Sequence, residues 1–334
     1  MKTLVTGAPG WLGDTLVETL LKGSPDFQVD KHDVRCLVLP GQNTAHLESL
    51  GAEIVRGDIT DPTTLMTVAQ GVDTVIHCAG LIHPKRISQL FDINTRGVEN
   101  MITAATYAGV KRFIMVSSNS PAGTNRSRDV MMKENDLPHP YKAYGRSKLQ
   151  AENVVKRFQE QGKIETVIIR PCWFYGPNQP ARQSTFFNMI KKGNPIVFGD
   201  GNNLRSMSYV DNIVQGLVLA ETSEKAAGNT YWIADERPYP TIEIYRTVAE
   251  LLDVKEFNPR HIPGFSCYIA EIADELIQRS GFYWTEMHVA GEMNRNIACS
   301  IEKAKAELGY KPTIELREGM RRSIEWCRKK GMNI

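Results

Sequence analysis

The sequence predicts an α/β fold, a doubly wound parallel sheet with a smaller, partly helical C-terminal lobe. Two observations lead there. Short apolar runs of strand length alternate with segments of helical period from the first residues onward, the pattern of a parallel sheet covered on both faces. A glycine-rich turn also stands directly between the first such run and the first helix. A chain of 334 residues can bury a core of that size. The division expected is 1–176 for the sheet domain and 177–334 for the lobe, with segments of the second part returning to the sheet.

Thr3-Leu4-Val5-Thr6 reads as the first strand and Gly7-Ala8-Pro9-Gly10-Trp11-Leu12-Gly13 as the turn, before a helix carrying Leu12, Leu16, Leu20 and Leu21. Gly7 allows the sharp turn, Gly10 lets backbone approach a pyrophosphate, and Gly13 lets the helix lie close to the strand. The helix N-terminus offers free N–H groups to the phosphates. Val34–Leu39 is the second strand. An acid at its end would bond the adenosine ribose and an arginine would accept a 2′-phosphate. Leu39-Pro40-Gly41-Gln42 supplies neither, so both NAD and NADP stay open, with NAD favoured for want of a well-placed cation.

Glu53–Ile59 is the third strand. Asp58 at its end can accept from the adenine amino group or cap a helix from Asp61-Pro62. Val72–Ile76 leads into His77-Cys78-Ala79-Gly80, whose small side chains would let backbone lie against a nicotinamide ribose. Leu90–Ala108 reads as one amphipathic helix, and Lys111–Ser118 as a fifth strand ending in two serines. Beyond Asn119–Pro140, Tyr144-Gly145-Arg146-Ser147-Lys148 stacks a tyrosine and a lysine on one helical face. The ammonium is expected to pull the phenol, ordinarily near pKa ~10, towards working pH. Tyr-x-x-x-Lys is common on exposed helices. Its weight comes from convergence with the strand-end residues on the carboxyl edge of the sheet, where such folds bind ligands.

Composition excludes other classes. A net charge of +2 gives no electrostatic reason for a nucleic-acid or membrane partner. The 6 cysteines form no Cys-x-x-Cys pair, and the 7 histidines show no zinc spacing, so no metal is implied. No apolar run reaches the ~18 residues of a membrane span, and Met1 leads straight into a strand. The expectation is a cytoplasmic protein with a small-molecule substrate.

Taken together, Thr6–Gly13, Gly57-Asp58, His77–Gly80, Asn94-x-x-Gly97, Ser117-Ser118, Tyr144-x-x-x-Lys148, Arg170-Pro171 with Tyr175-Gly176-Pro177, Gly199-Asp200-Gly201, Tyr209–Asn212 and Glu307–Pro312 resemble the extended short-chain dehydrogenase/reductase superfamily, in its NAD-dependent epimerase/dehydratase group. The resemblance implies a Rossmann-type fold and hydride transfer at a secondary alcohol or ketone. It implies Tyr144 as general acid/base, Lys148 as its partner and Ser118 bonding the same substrate oxygen. It places Gly7, Pro9, Gly10, Trp11, Leu12, Gly13, Leu39, Asp58, Ile59, Cys78, Ala79, Gly80, Asn94, Ser117, Tyr144, Lys148 and Pro171 around the cofactor. It also implies a homodimer through the helices Leu90–Ala108 and Tyr144–Gln161.

Departures from the pattern bear on the substrate. Dehydratases of the group carry Asp-Glu after the strand-five serine or threonine. Here Asn119-Ser120 stands instead, which disfavours a 4,6-dehydratase. Trp173 occupies the place of a substrate-binding asparagine and suits an apolar ring, as in 3β-hydroxysteroid dehydrogenases or dihydroflavonol reductases. Arg205, after Gly199-Asp200-Gly201, resembles the arginine that grips a nucleotide-sugar pyrophosphate, or is a surface residue on a hairpin. Arg295 is a fainter second such site. Tyr268, Phe282, Tyr283, Trp284 and His288 are lobe core or an apolar substrate wall. The reading from another class is a non-catalytic dinucleotide sensor on the same fold.

Overall fold

The structure, a computed structural model, describes residues 1–334. Seven strands form one sheet, all pairs parallel: β1 Lys2–Thr6, β2 Asp33–Val38, β3 Glu53–Arg56, β4 Thr74–His77, β5 Arg112–Val116, β6 Glu165–Pro171 and β7 Asn229–Ile233. Their spatial order is β3-β2-β1-β4-β5-β6-β7. The order reverses beside β1, and the crevice at that switch point is where doubly wound sheets take ligands.

Side-chain alternation builds the two faces. Val5, Ile76, Ile114 and Ile169 point into one core with α1 (Trp11–Lys22). Leu4, Val75, Phe113 and Ile168 point into the other, with α2 (Gly97–Tyr107) and α3 (Lys142–Glu160). Helix α4 (Val210–Thr222) and β7 come from the second half of the chain, and α4 joins α1 on its face. A separate lobe core gathers Phe187, Ile244, Val248, Met320 and Ile324, while α5 (Ser266–Arg279) and α6 (Thr285–Glu292) pack on each other, with α5 against α3. No helix is long and apolar enough to cross a membrane. All cysteines are free. Five are buried, and the Cys172 and Cys299 sulfurs lie 3.6 Å apart.

One element differs from expectation. Leu90–Ala108 is not one regular helix: a turn at Ser88–Phe91 leads into a π-turn, Asp92–Arg96, before α2. That widened turn places the Asn94 amide on the Leu81 backbone, accepting its N–H at 2.7 Å and donating to its carbonyl at 2.9 Å. In the lobe, Thr241 is the first residue of the helix Thr241–Leu251 and donates its hydroxyl to the Asn203 carbonyl.

Candidate active site

The glycine turn is packed as tightly as its spacing requires. Gly7 has φ +87°, and a Cβ there would lie 2.6 Å from the Ala79 nitrogen. A Cβ on Gly10 or Gly13 would lie 2.5 Å from the Gly7 carbonyl oxygen. Helix α1 opens on Gly10 with no side-chain cap, leaving its first N–H groups to a ligand. Pro9 and Leu12 complete the turn, and the Trp11 indole donates to the Pro177 carbonyl at 2.6 Å, tying it to the chain leaving β6. These features fit a dinucleotide pyrophosphate.

Beyond β2, Leu39 is exposed and its carbonyl accepts from Arg56, which also bonds Gln42 and Thr44. Arg35 is engaged by Glu53 and the Val68 and Gln70 carbonyls. Both nearby cations are thus committed to the protein. Asp58 does not cap the next turn: one of its oxygens accepts from the Thr60 N–H and hydroxyl, both at 2.8 Å, while Asp61 caps Pro62–Thr64. Ile59 packs against Gly97, where a Cβ would clash with it.

Cys78, Ala79 and Gly80 leave β4 beside the reaction residues. Gly80 faces the Asn94 amide oxygen and the Lys148 ammonium. Asn94 is fully buried and also donates to the Ser147 hydroxyl at 3.2 Å, locking this loop to α3. Burial pushes the Cys78 thiol up to about 12, too high for a nucleophile at neutral pH.

Tyr144 and Lys148 lie on α3 as the helical spacing demands, but their electrostatics differ from expectation. The Lys148 ammonium donates to the Val116 carbonyl at 2.8 Å, and burial lowers its pKa to about 8. Burial raises the Tyr144 phenol to about 12. The neighbouring Ser118 hydroxyl opposes that rise, and the Glu292 carboxylate adds to it. Desolvation of the phenolate outweighs the lysine here, so Tyr144 rests as the acid. Just before it, Lys142 takes φ +54°, and α5 holds it there through the Glu271 carbonyl and Glu275 carboxylate. The Ala143 N–H donates to Gln278 of the same helix at 3.0 Å.

The two serines part company. Ser118 turns to Tyr144. The Ser117 hydroxyl donates to Glu152 at 2.6 Å, and Glu152 takes a two-pronged bond from Arg170, both ends buried. Ser117 therefore has only its main chain to offer a cofactor. Pro171 ends β6 in register with Ile233.

Arg205 is not a surface residue. It is 1% exposed, its guanidinium lies over the Trp173 ring, and one nitrogen donates to the Glu292 carbonyl at 2.6 Å. Its Nε and Nη1 are buried without a partner, although burial in that state disfavours the cation. Trp173 consequently offers no bare apolar plane. Arg295, by contrast, is bonded to Glu271 and stacked on Tyr268.

The aromatic segment divides. Tyr268, Phe282 and Trp284 are exposed, whereas Tyr283 and Tyr141 pack on His288. Two groups not foreseen from the sequence, Tyr141 and Glu292, enter here beside His288, which the aromatic segment already included. Tyr141 has a buried hydroxyl with no partner. Glu292 is 9% exposed, and its carboxylate has charged neighbours but no hydrogen bond to hold it down. His288 Nδ1 lies 2.9 Å from Asp274, which α5 holds with Gln278. The 288/292 spacing on one helix face was the available signal for the pair.

The chain matches the model of the NAD dependent epimerase/dehydratase family over residues 3–234. It belongs to that family. Members similar to it include an uncharacterized protein, y4nL, of Sinorhizobium fredii, 42% identical over 99% of this chain and 96% of that one. A UDP-glucose 4-epimerase of Vibrio cholerae is 29% identical over 96% of this chain and 94% of its own. Among solved structures, gox2253 superposes with a TM-score of 0.82 at 25% identity, covering 99% of both chains. The family is one of NAD-dependent epimerases and dehydratases, and its fold is the one described above.

Proposed function

We propose that this epimerase/dehydratase-family chain transfers hydride at a secondary alcohol or ketone of a hydroxyl-rich, sugar-like substrate, of the nucleotide-sugar kind, with NAD as its cofactor. The observation that carries the substrate class is a set of unsatisfied polar groups gathered around Glu292, which itself neighbours Tyr144: two nitrogens of Arg205, the Tyr141 hydroxyl and the Glu292 carboxylate. Each buried polar group left unpaired costs about 1–3 kcal/mol, so the cleft favours a ligand that brings donors and acceptors. A sterol-like ring would leave them all unpaired. Arg205 suits a phosphate oxygen, since a guanidinium presents a fork of donors to it. The preference for NAD rests on Arg35 and Arg56, both bonded within the protein and not held ready for a 2′-phosphate.

The nicotinamide, when bound, supplies or accepts the hydride. The glycine turn and the α1 N-terminus would hold its pyrophosphate, and Asn94 fixes the Gly80 loop beside Lys148. Tyr144, resting protonated, donates to a carbonyl oxygen in the reducing direction and takes the proton back in the oxidising one. Ser118 bonds the same oxygen and orients it. Lys148 supplies positive charge at the sheet edge. Asn119-Ser120 offers no carboxylate for elimination, so dehydration is not part of the reading.

The test is turnover by the purified protein with NAD, offering UDP-glucose, other UDP-sugars and a sterol, beside Tyr144→Phe. A UDP-sugar should be epimerised or oxidised, and Tyr144→Phe should slow it on the order of a hundredfold while still binding NAD. Oxidation of the sterol alone would overturn the substrate class. NAD binding with no turnover of any alcohol, and no biological effect of Tyr144→Phe, would favour the sensor reading.

A further inference from the structure

Helix α5 is built inside out. Its inward face is polar: Asp274 and Gln278 are buried, and with Glu271 and Glu275 they hold the start of α3 and His288. Its outward face is apolar. Ile269, Ile272 and Leu276, with Phe265 just before the helix, are each more than 60% exposed. Tyr268 lines a shallow hollow with Ile272 and Leu276, and Phe282 and Trp284 carry the patch onto the turn before α6. Side chains of this size, each a little over half exposed, present roughly 700 Å² together. The largest apolar patch on an ordinary monomer is ~300–600 Å², and larger ones mark interaction sites.

The charges around the patch are uneven. The carboxylates of α5 are neutralised, Glu275 by Lys142 and Arg279 and Glu271 by Arg295. Lys85 and Arg86 lie at the C-terminal end of the helix, where Arg86 forms a backbone bridge to Phe282 and the Ile87 N–H donates to the Gly281 carbonyl at 3.0 Å. At the other end Arg126 lines a hollow with Tyr268. These three cations are exposed and have no ion-pair partner. Glu286, in the first turn of α6, is the one exposed carboxylate of the two helices left unpaired. We propose that this face docks on an anionic lipid surface, with its apolar side chains in the headgroup boundary and Lys85, Arg86 and Arg126 on lipid phosphates. Tyr268 and Trp284 are residue types that settle at that level of a bilayer. The net charge of +2 averages over the whole chain, whereas attraction to a charged surface acts within a Debye length, ~10 Å at 0.1 M salt. The local excess of cations on this face therefore decides.

Sedimentation of the full chain with lipid vesicles tests this. The wild type should bind an equal mixture of phosphatidylglycerol and phosphatidylcholine, and bind phosphatidylcholine alone at least tenfold more weakly. Raised salt should weaken the first. Ile272→Glu with Leu276→Glu should abolish binding, and Lys85→Glu with Arg86→Glu should weaken it at least tenfold on the mixed vesicles. Both variants should keep the wild-type melting temperature. Tyr107→Glu, at an exposed site on α2, should bind as the wild type does. A second measurement needs no destabilising change: tryptophan emission should shift to the blue on the mixed vesicles, and Trp284→Phe should lose that shift while still sedimenting. A wild type that stays in the supernatant overturns the proposal, as does equal binding to the two kinds of vesicle or binding that survives the paired glutamates at 272 and 276. So does light scattering that finds a dimer whose mass those glutamates halve, which would make the occupant a second copy.

Discussion

The Arg205 guanidinium lies 4.3 Å from the centre of the Trp173 ring, with two of its nitrogens bonded to nothing. A buried charge held this way is retained at a cost to stability. Replacing it with an apolar side chain of similar length should separate folding from function. Arg205→Met is expected to melt at the same temperature or higher, while KM for the phosphate-bearing substrate rises at least tenfold and NAD affinity is unchanged. Calorimetry beside steady-state kinetics checks both halves.

Glu152 stands in the opposite situation. It is fully buried, paired with Arg170 and accepting from Ser117. Glu152→Leu leaves the Arg170 charge without its partner and should destabilise the protein by about 3–5 kcal/mol. Ser117→Ala should cost only about 1 kcal/mol, the net worth of one hydrogen bond. Urea unfolding curves distinguish the two, and equal effects would mean that Ser117 carries the network.

His77 gives a pH dependence with a definite sign. It is fully buried between β1 and β5, and desolvation lowers its pKa to about 3 from 6.5. Between those values the unfolded chain binds a proton that the folded chain refuses, so stability rises with pH across this window and is lost on acidification. From pH 7 to 4.5 the loss attributable to His77 is about 2–3 kcal/mol. In His77→Gln the acid loss should be smaller by that amount, measured as the difference between urea unfolding free energies at the two pH values.

The glycine turn should tolerate no side chain at its third glycine. Gly13→Ala would put a Cβ 2.5 Å from the Gly7 carbonyl and 2.8 Å from the Ala8 nitrogen, both backbone atoms. Separation of α1 from β1 should weaken NAD binding more than tenfold by fluorescence titration, along with a lowered melting temperature.

What could be read from the chain followed from local rules. The parallel sheet came from apolar alternation, and the cofactor turn from glycines in a place where only glycine fits. Strand parity also held a clue that went unused: Ser117 shares its face with Met115, which packs with α3, and so points to Glu152 while Ser118 points away. The misreadings were non-local. Arg205 is drawn inside because its two-residue strand pairs with Tyr239-Pro240 and bridges to Ile297. Nothing near it in sequence announces those partners. The Tyr144 phenol was expected to be lowered by the lysine one turn on, but burial depends on what covers the helix. The lobe helices that cover it also carry Glu292.

The sulfur content of this fold makes it a recorder of its own opening. Cys36, Cys172, Cys267, Cys299 and Cys327 are shut away in three different parts of the molecule, with Cys78 half-sheltered at the cofactor edge. In a closed molecule an alkylating reagent finds little thiolate to react with, since burial raises even the half-sheltered Cys78 thiol. Each further thiol labelled over time would then mark the exposure of a particular region. The order in which they become labelled would rank the sheet, the lobe and the seam between them by how readily each opens.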